Sequence, residues 1–227
     1  MANSLRVALE TGPKGKRVVA MAPDWPGLER GGKTEKYALE RLQSYRPRYA
    51  KVAKLAGMSN EFAAATDIEV VDTYVGTPST DFWGISFAFS KFDTQAMSNS
   101  ELERELALLQ ACWAFFDDVR SRVSAELQAG PRGGGRNRDR IVRHTLRAEQ
   151  DWATKVGISI PEDDEILTDE ALKAYREDYC SAIREYHAQG KLAGKVAKWP
   201  LRFLIRHSAY HMLDHAWEME DKDLTGR

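Results

Sequence analysis

Three of the five histidines in this 227-residue chain fall in one segment, "RHSAYHMLDHAWEMED", as His207, His211 and His215. Histidine is a mediocre helix former, so propensity gives no reason to gather it there. On a helix, residues four apart share a face about 6 Å apart along the axis, and two imidazoles so placed can converge on one ion. Three cannot: His207 and His215 stand roughly 12 Å apart, against metal–nitrogen bonds of ~2.0–2.1 Å. One consecutive pair can therefore chelate, and at least one of the three has another role. A third ligand must come from elsewhere. His144, in "IVRHTLRAEQDW", borders an apolar arc with Ile141, Ala148 and Trp152 and is the best placed. Glu149 falls among Val142, Thr145 and Ala153 and needs a buried partner, either a ligating histidine or a cation on another helix. His187 sits by a helix end, where the dipole favours a cation.

The histidines share an arc with Ser208, Asp214 and Glu218, opposite the apolar arc of Leu201, Ile205, Ala209, Met212, Ala216 and Met219. That arc holds no Lys or Arg, as a solvated face usually would, so it is expected to line a polar cleft. Glu218 and Asp214 are the candidate proton acceptors beside a metal-bound reactant. The segment "GPRGGGRNRDR" lacks the spacing of a nucleotide-binding loop and reads as a connection. Its Arg136, Arg138 and Arg140 are the nearest cations for an anionic thiol or acid, and Arg136 and Arg138 are taken as its cofactor-binding pair.

The elements that must position these residues divide in two. "LRVALE" and "RVVAMA" read as strands joined by the turn segment "TGPKGK", and "PDWPGLERGG" as irregular. Thr34 is an N-cap for the helix "EKYALERLQSY", expected to stop before Pro47. "DIEVVDTYVG" and "DFWGISFAFSKF" carry strand composition, with Thr77 to Ser79 as punctuation. From Ser98 four amphipathic helices follow: "SNSELERELALLQACWAFFDDVRSRVSAEL", "NRDRIVRHTLRAEQDWATKVG", "TDEALKAYREDYCSAIREYHAQG" and "WPLRFLIRHSAYHMLDHAWEMEDKD". The expected fold class is α+β, with a small strand-rich α+β module over residues 1–95 and a four-helix bundle over 96–227.

Composition narrows the function classes. A formal net charge of −1 gives no global attraction to nucleic acid or anionic lipid. The stretch "RPRYAKVAKLAG" mixes basic and aromatic residues, but the first 95 residues carry 13 Lys/Arg against 11 Asp/Glu, so nucleic acid is disfavoured. No apolar run approaches the ~20 residues that span a bilayer, and the start lacks a signal-peptide core. Two distant cysteines, Cys112 and Cys180, argue against a disulfide framework and for a reducing cytoplasm. Neither has an adjacent base to activate it.

The order "HTLRAEQDW", then one helix, then "HSAYHMLDHAWEMED" resembles the DinB-like four-helix-bundle superfamily, whose members include bacterial metalloproteins and relatives of mycothiol-dependent enzymes. The resemblance covers roughly residues 98–221 and implies His144, His211 and His215 as ligands, with His207 outside the set. It implies a divalent ion (Zn, Ni or Fe, which imidazole suits) and thiol-dependent transfer or hydrolysis on a small-molecule substrate, with a low-molecular-weight thiol as co-substrate. Over roughly residues 5–49, "PDWPGLERGGKTEKYALERL" resembles the HicB-like antitoxin module through Asp24, Pro26, Gly27, Gly32, Thr34 and Ala38. No DNA-binding segment follows, so this part is expected to pack on the bundle or to mediate a homodimer. The alternative reading is a non-enzymatic binding or regulatory protein that recruits a partner through this module.

Overall fold

The computed structural model describes residues 3–130, 135–158, 168–190 and 197–225. The chain is α+β: a four-stranded sheet comes first and a helical region follows. By contacts it divides into two compact units, residues 1–115 with 205–213 and residues 116–204 with 214–227.

In the first unit β1 (Asn3–Thr11), β2 (Val18–Met21), β3 (Glu29–Gly32) and β4 (Ala65–Val75) lie in the order β3-β2-β1-β4. The pairs β1–β2 and β2–β3 are antiparallel, and β4 runs parallel to β1. β1 is buried on both faces from Val7 to Glu10, while Arg6 is exposed. Leu5, Val7 and Leu9 alternate with Ala8 and Glu10, all fully shielded from solvent. The turn into β2 is held from far along the chain, because Asp81 accepts from the backbone N–H of Lys14 (2.7 Å) and Lys16 (2.8 Å).

β3 falls in the segment expected to be irregular, and its glycines are the reason for both the misreading and the strand. A Cβ on Gly32 would lie 2.6 Å from Ala38 N, and one on Gly31 would lie 2.2 Å from Gly84 O. Backbone thus packs on both faces of the strand, and only residues without side chains fit.

Helix α1 (Glu35–Leu55) is capped by Thr34, whose hydroxyl accepts from Tyr37 N, and it packs on β2 and β3. It does not stop before Pro47 but runs through it. The buried face Ala38, Leu42, Tyr49, Val52 and Ala53 continues in register past the proline. Arg46, one residue earlier, donates to the carbonyls of Ala65 and Thr66. Packing and anchoring here outweigh one lost backbone bond. A short α2 (Ser59–Ala64) leads into β4.

The segment 81–92 is not a strand. Thr80 Oγ1 accepts from Thr77 N at 3.1 Å, Pro78 starts α3 (Pro78–Trp83), and Gly84 ends it with φ 72°. Beyond it, backbone donors go to carboxylates: Phe87 N and Ala88 N to Glu10, Ser86 N to Glu29, and Ser90 N to Asp93. With these four N–H groups taken by side chains, the segment cannot offer a continuous sheet ladder.

Four long helices complete the chain: α4 (Asn99–Arg122), α5 (Arg138–Ala153), α6 (Asp169–Gln189) and α7 (Leu201–Asp221). A 3₁₀ turn, Thr154–Val156, extends α5. Thr168 caps α6 through Ala171 N, and Pro200 precedes α7. Within the second unit, Arg176 of α6 pairs with Asp117 of α4, Tyr175 of α6 donates to Glu149 of α5, and Arg122 of α4 pairs with Glu220 of α7. α4 and α7 each contribute residues to both units. No helix among the described residues is long and apolar enough to cross a membrane. Residues 131–134, within the Gly- and Arg-rich connection, lie outside those described.

Candidate metal centre

Asn137 starts α5 by accepting from Arg140 N at 3.0 Å. The buried residues Ile141, Val142, Thr145, Leu146, Glu149 and Ala153 then define its inward face. His144 stands at the edge of that face, half-buried. α7 has no solvated face over most of its length. From Phe203 to Tyr210 every residue is buried, including Arg206, His207 and Ser208, and His215 is only 9% exposed. Its polar side chains are therefore inside the protein and need specific partners.

Within the second unit the rings of His144 and His215 meet edge to face, with centroids 5.1 Å apart and planes at 86°. His211 stands one turn before His215 on the same continuous helix. One nitrogen from each of the three imidazoles lies within 4.8 Å of the others. Tetrahedral zinc with nitrogens at ~2.0–2.1 Å sets them about 3.3 Å apart, so modest side-chain rotation brings this donor set to bonding geometry.

The electrostatics suit neutral imidazole. Burial lowers the pKa of His144, and the nearby charges of Arg136 and His215 act the same way, against a smaller opposite effect of Glu218. Glu218 Oε2 lies 2.7 Å from His215 Nδ1, and Lys222 Nζ donates to Oε1 at 2.5 Å. The His215 contact, then Lys222, hold the Glu218 carboxyl down at about 2 in spite of burial. A carboxylate on Nδ1 fixes that nitrogen as the donor and leaves the Nε2 lone pair for a ligand. With both oxygens engaged and so low a proton affinity, Glu218 is suited to orienting His215 rather than to accepting a proton. Asp214 is half-buried on α7 and does not belong to the three-imidazole group.

The remaining sequence candidates separate. Arg136 lines a cavity of about 660 Å³ together with His144, Arg140, Arg143 and Arg147. Arg138 does not join it: it binds Asp139 and the Val123 carbonyl and lines another cavity with Arg120 and Asp169. Arg143 and Arg147 were overlooked in the sequence, where they carry no motif beyond their spacing. Glu149 accepts from the Tyr175 hydroxyl at 3.0 Å, and burial, then the Glu149 charge, keep the tyrosine proton firmly bound.

His207 belongs to the first unit. Its ring meets Phe87 edge-on at 4.9 Å, and burial beside the Arg206 charge pushes its pKa down to about 3. Next to it, Arg206 is 3% exposed and bonds both oxygens of Asp93, at 2.6 and 2.9 Å, with Glu29 at 3.4 Å. Glu10 completes this buried group, taking Ser86 Oγ, Thr80 Oγ1 and two backbone N–H groups. Burial raises Glu29 to about 8, against the pull of Arg206, so at neutral pH it holds its proton.

The basic aromatic stretch of α1 serves the fold. Arg48 and Arg30 lie over the Tyr45 ring at 5.4 and 3.7 Å, and Lys51 lies over Phe115 at 5.8 Å.

Fold and site together define an α+β protein carrying a three-imidazole cluster on two helices. Comparison of the chain with family models, with curated proteins and with solved structures finds no match.

Proposed function

We propose that His144, His211 and His215 hold one divalent ion and that the protein is a metal-dependent enzyme of the DinB-like kind, acting on a small molecule. The observation that carries this reading is the convergence of three imidazole nitrogens within 4.8 Å, two of them one turn apart on α7 and the third on α5. Three protein ligands leave a coordination position open, the arrangement of catalytic rather than structural sites. When bound, the ion supplies Lewis acidity, which activates a water for hydrolysis or a low-molecular-weight thiol for transfer. The chain's own part is to keep His144 neutral, to orient His215 through Glu218, and to exclude water around the buried His215 ring. Thiol transfer is favoured over hydrolysis by the resemblance in motif order. Cys112 and Cys180 are both buried and form no disulfide among the described residues, in keeping with the proposed reducing cytoplasm.

Metal analysis of protein purified without an affinity tag tests the reading. About one equivalent of Zn, Ni or Fe per chain is expected, lost in His144→Ala, His211→Ala and His215→Ala. Folded protein that neither carries nor takes up any of these ions would overturn it. One observation favours a regulatory role instead: Val75, Phe82 and Trp83 are 71%, 69% and 67% exposed. Such apolar exposure suits a partner recruited by the strand-rich unit. Under that reading, pull-down of a partner survives the histidine substitutions and fails in Phe82→Ser/Trp83→Ser.

A further inference from the structure

Arginines in the helical part of this protein mostly find carboxylates. Arg120 pairs with Asp117 and Asp169, Arg122 with Asp118 and Glu220, and Arg176 with Asp117. The cavity beside His144 is different. Arg136, Arg140, Arg143 and Arg147 all line it, and none of the four makes an ion pair among the described residues. From Arg140 the spacing is three and then four residues, so these guanidinium groups follow one face of α5 at successive turns. Asp151, the only acid among the described lining residues, already has Lys155 at 3.6 Å. Four like charges within three turns repel one another, and nothing described on the lining offsets them.

We infer that this cavity binds a small molecule bearing at least two negative charges, carboxylate or phosphate, with its anionic end on the arginines and its other end at His144. The depression is open to solvent, with all four arginines exposed, and its volume of about 660 Å³ is in the range of a small-molecule site. Guanidinium groups are suited to it, because their planar forks match carboxylate and phosphate oxygens two at a time. Trp152 and Ala148 give the lining an apolar part, against which the uncharged body of the ligand packs. The inference names the substrate class of the metal site proposed above and rests on that reading for what the ligand meets at His144. The arginine subsite itself does not require the ion.

The test uses the full-length protein stripped of metal by a chelator, so that binding reports the arginines alone. Pyrophosphate and tricarballylate are titrated separately by calorimetry at low and physiological salt. One site per chain is expected, weakened about tenfold or more in Arg143→Gln/Arg147→Gln and unchanged in Lys173→Gln, which removes an equivalent charge from the exposed face of α6. Tighter pyrophosphate binding identifies a phosphorylated ligand, and tighter tricarballylate binding a polycarboxylate; both support the inference. Folded protein that binds neither, or a double variant that binds both as well as the unmodified protein, overturns it. Binding of a short DNA duplex more tightly than either small anion, lost in the same double variant, also overturns it in favour of a polyanion surface. Because metal is absent throughout, failure here leaves the three-imidazole reading standing. Conversely, loss of metal in the histidine variants leaves the anion titration unaffected.

Discussion

Glu218 and His215 are three residues apart on α7 and share a 2.7 Å hydrogen bond from Nδ1 to Oε2. That bond occupies Nδ1 and leaves Nε2 as the ring nitrogen open to a ligand. Replacing Glu218 by Gln weakens the acceptor and frees the ring to adopt the other tautomer. Metal affinity is expected to fall about 10–100-fold, with the fold unchanged. Competition against a chromophoric chelator measures it, and an affinity equal to the unmodified protein's would remove the orienting role.

His207 supplies a pH dependence. Its folded pKa of about 3 lies below its unfolded value of 6.5, so the unfolded chain binds the proton more readily. Stability from this group is complete above pH 6.5 and is lost as pH falls toward 3. From pH 7 to pH 5 the loss is about 2 kcal/mol. Urea denaturation of Glu29→Gln at the two pH values reads it, and adding His207→Gln should remove most of the difference.

Glu29 has the opposite sign. Its pKa rises on folding to about 8, so its contribution is complete below pH 4.5 and is lost as pH rises through 8. Glu29→Gln cannot ionise, and its stability relative to the unmodified protein should climb by about 1.4 kcal/mol per pH unit inside that window. Between pH 4.5 and 6.5 the two histidine and glutamate slopes oppose each other, so each is read cleanly only in the variant lacking the other. A flat difference between Glu29→Gln and the unmodified protein would mean Glu29 is already ionised when folded.

Arg206 is the cation around which Asp93 and Glu29 are buried. Arg206→Met leaves Asp93 without its bidentate partner and should cost about 3–5 kcal/mol. Adding Asp93→Asn should restore part of that loss, a coupling that a double-mutant cycle in urea quantifies. Strictly additive effects would show that the pair is not energetically coupled.

Pro47 sits inside α1 and leaves one carbonyl of the preceding turn without its helical donor. Since packing already holds the helix together there, Pro47→Ala should raise stability by about 1–2 kcal/mol, the restored hydrogen bond exceeding the entropy returned to the unfolded chain. A lower melting temperature would mean that the ring itself packs productively.

Much of this was readable because it rests on local periodicity. α4 to α7, the Thr34 cap and the pairing of β1 with β2 follow from spacings and turn residues within a few positions. The histidine pair on α7 is visible for the same reason, since four residues make one turn. What escaped depends on distant partners. β3 looks like a loop until Ala38 and Gly84 are known to press on its two glycines. The segment 81–92 looks like a strand until its N–H groups are found on Glu10, Glu29 and Asp93. The helix breaker Pro47 reads as a stop because the buried face beyond it is set by tertiary packing. Arg138 and Arg136 look equivalent in a string, yet Asp139 and the Val123 carbonyl draw one of them away.

Two buried acids of the strand-rich unit lie at positions 29 and 93, and the guanidinium they share arrives at position 206. As the chain is synthesised, the sheet and α1 are therefore complete for more than a hundred residues before the charge that closes their core exists. Until then Asp93 must stay hydrated or protonated, so this core remains open and its contacts are of the long-range kind that form slowly. A nascent chain stalled before α7 should expose this half to protease even though nearly all of its own sequence has been made.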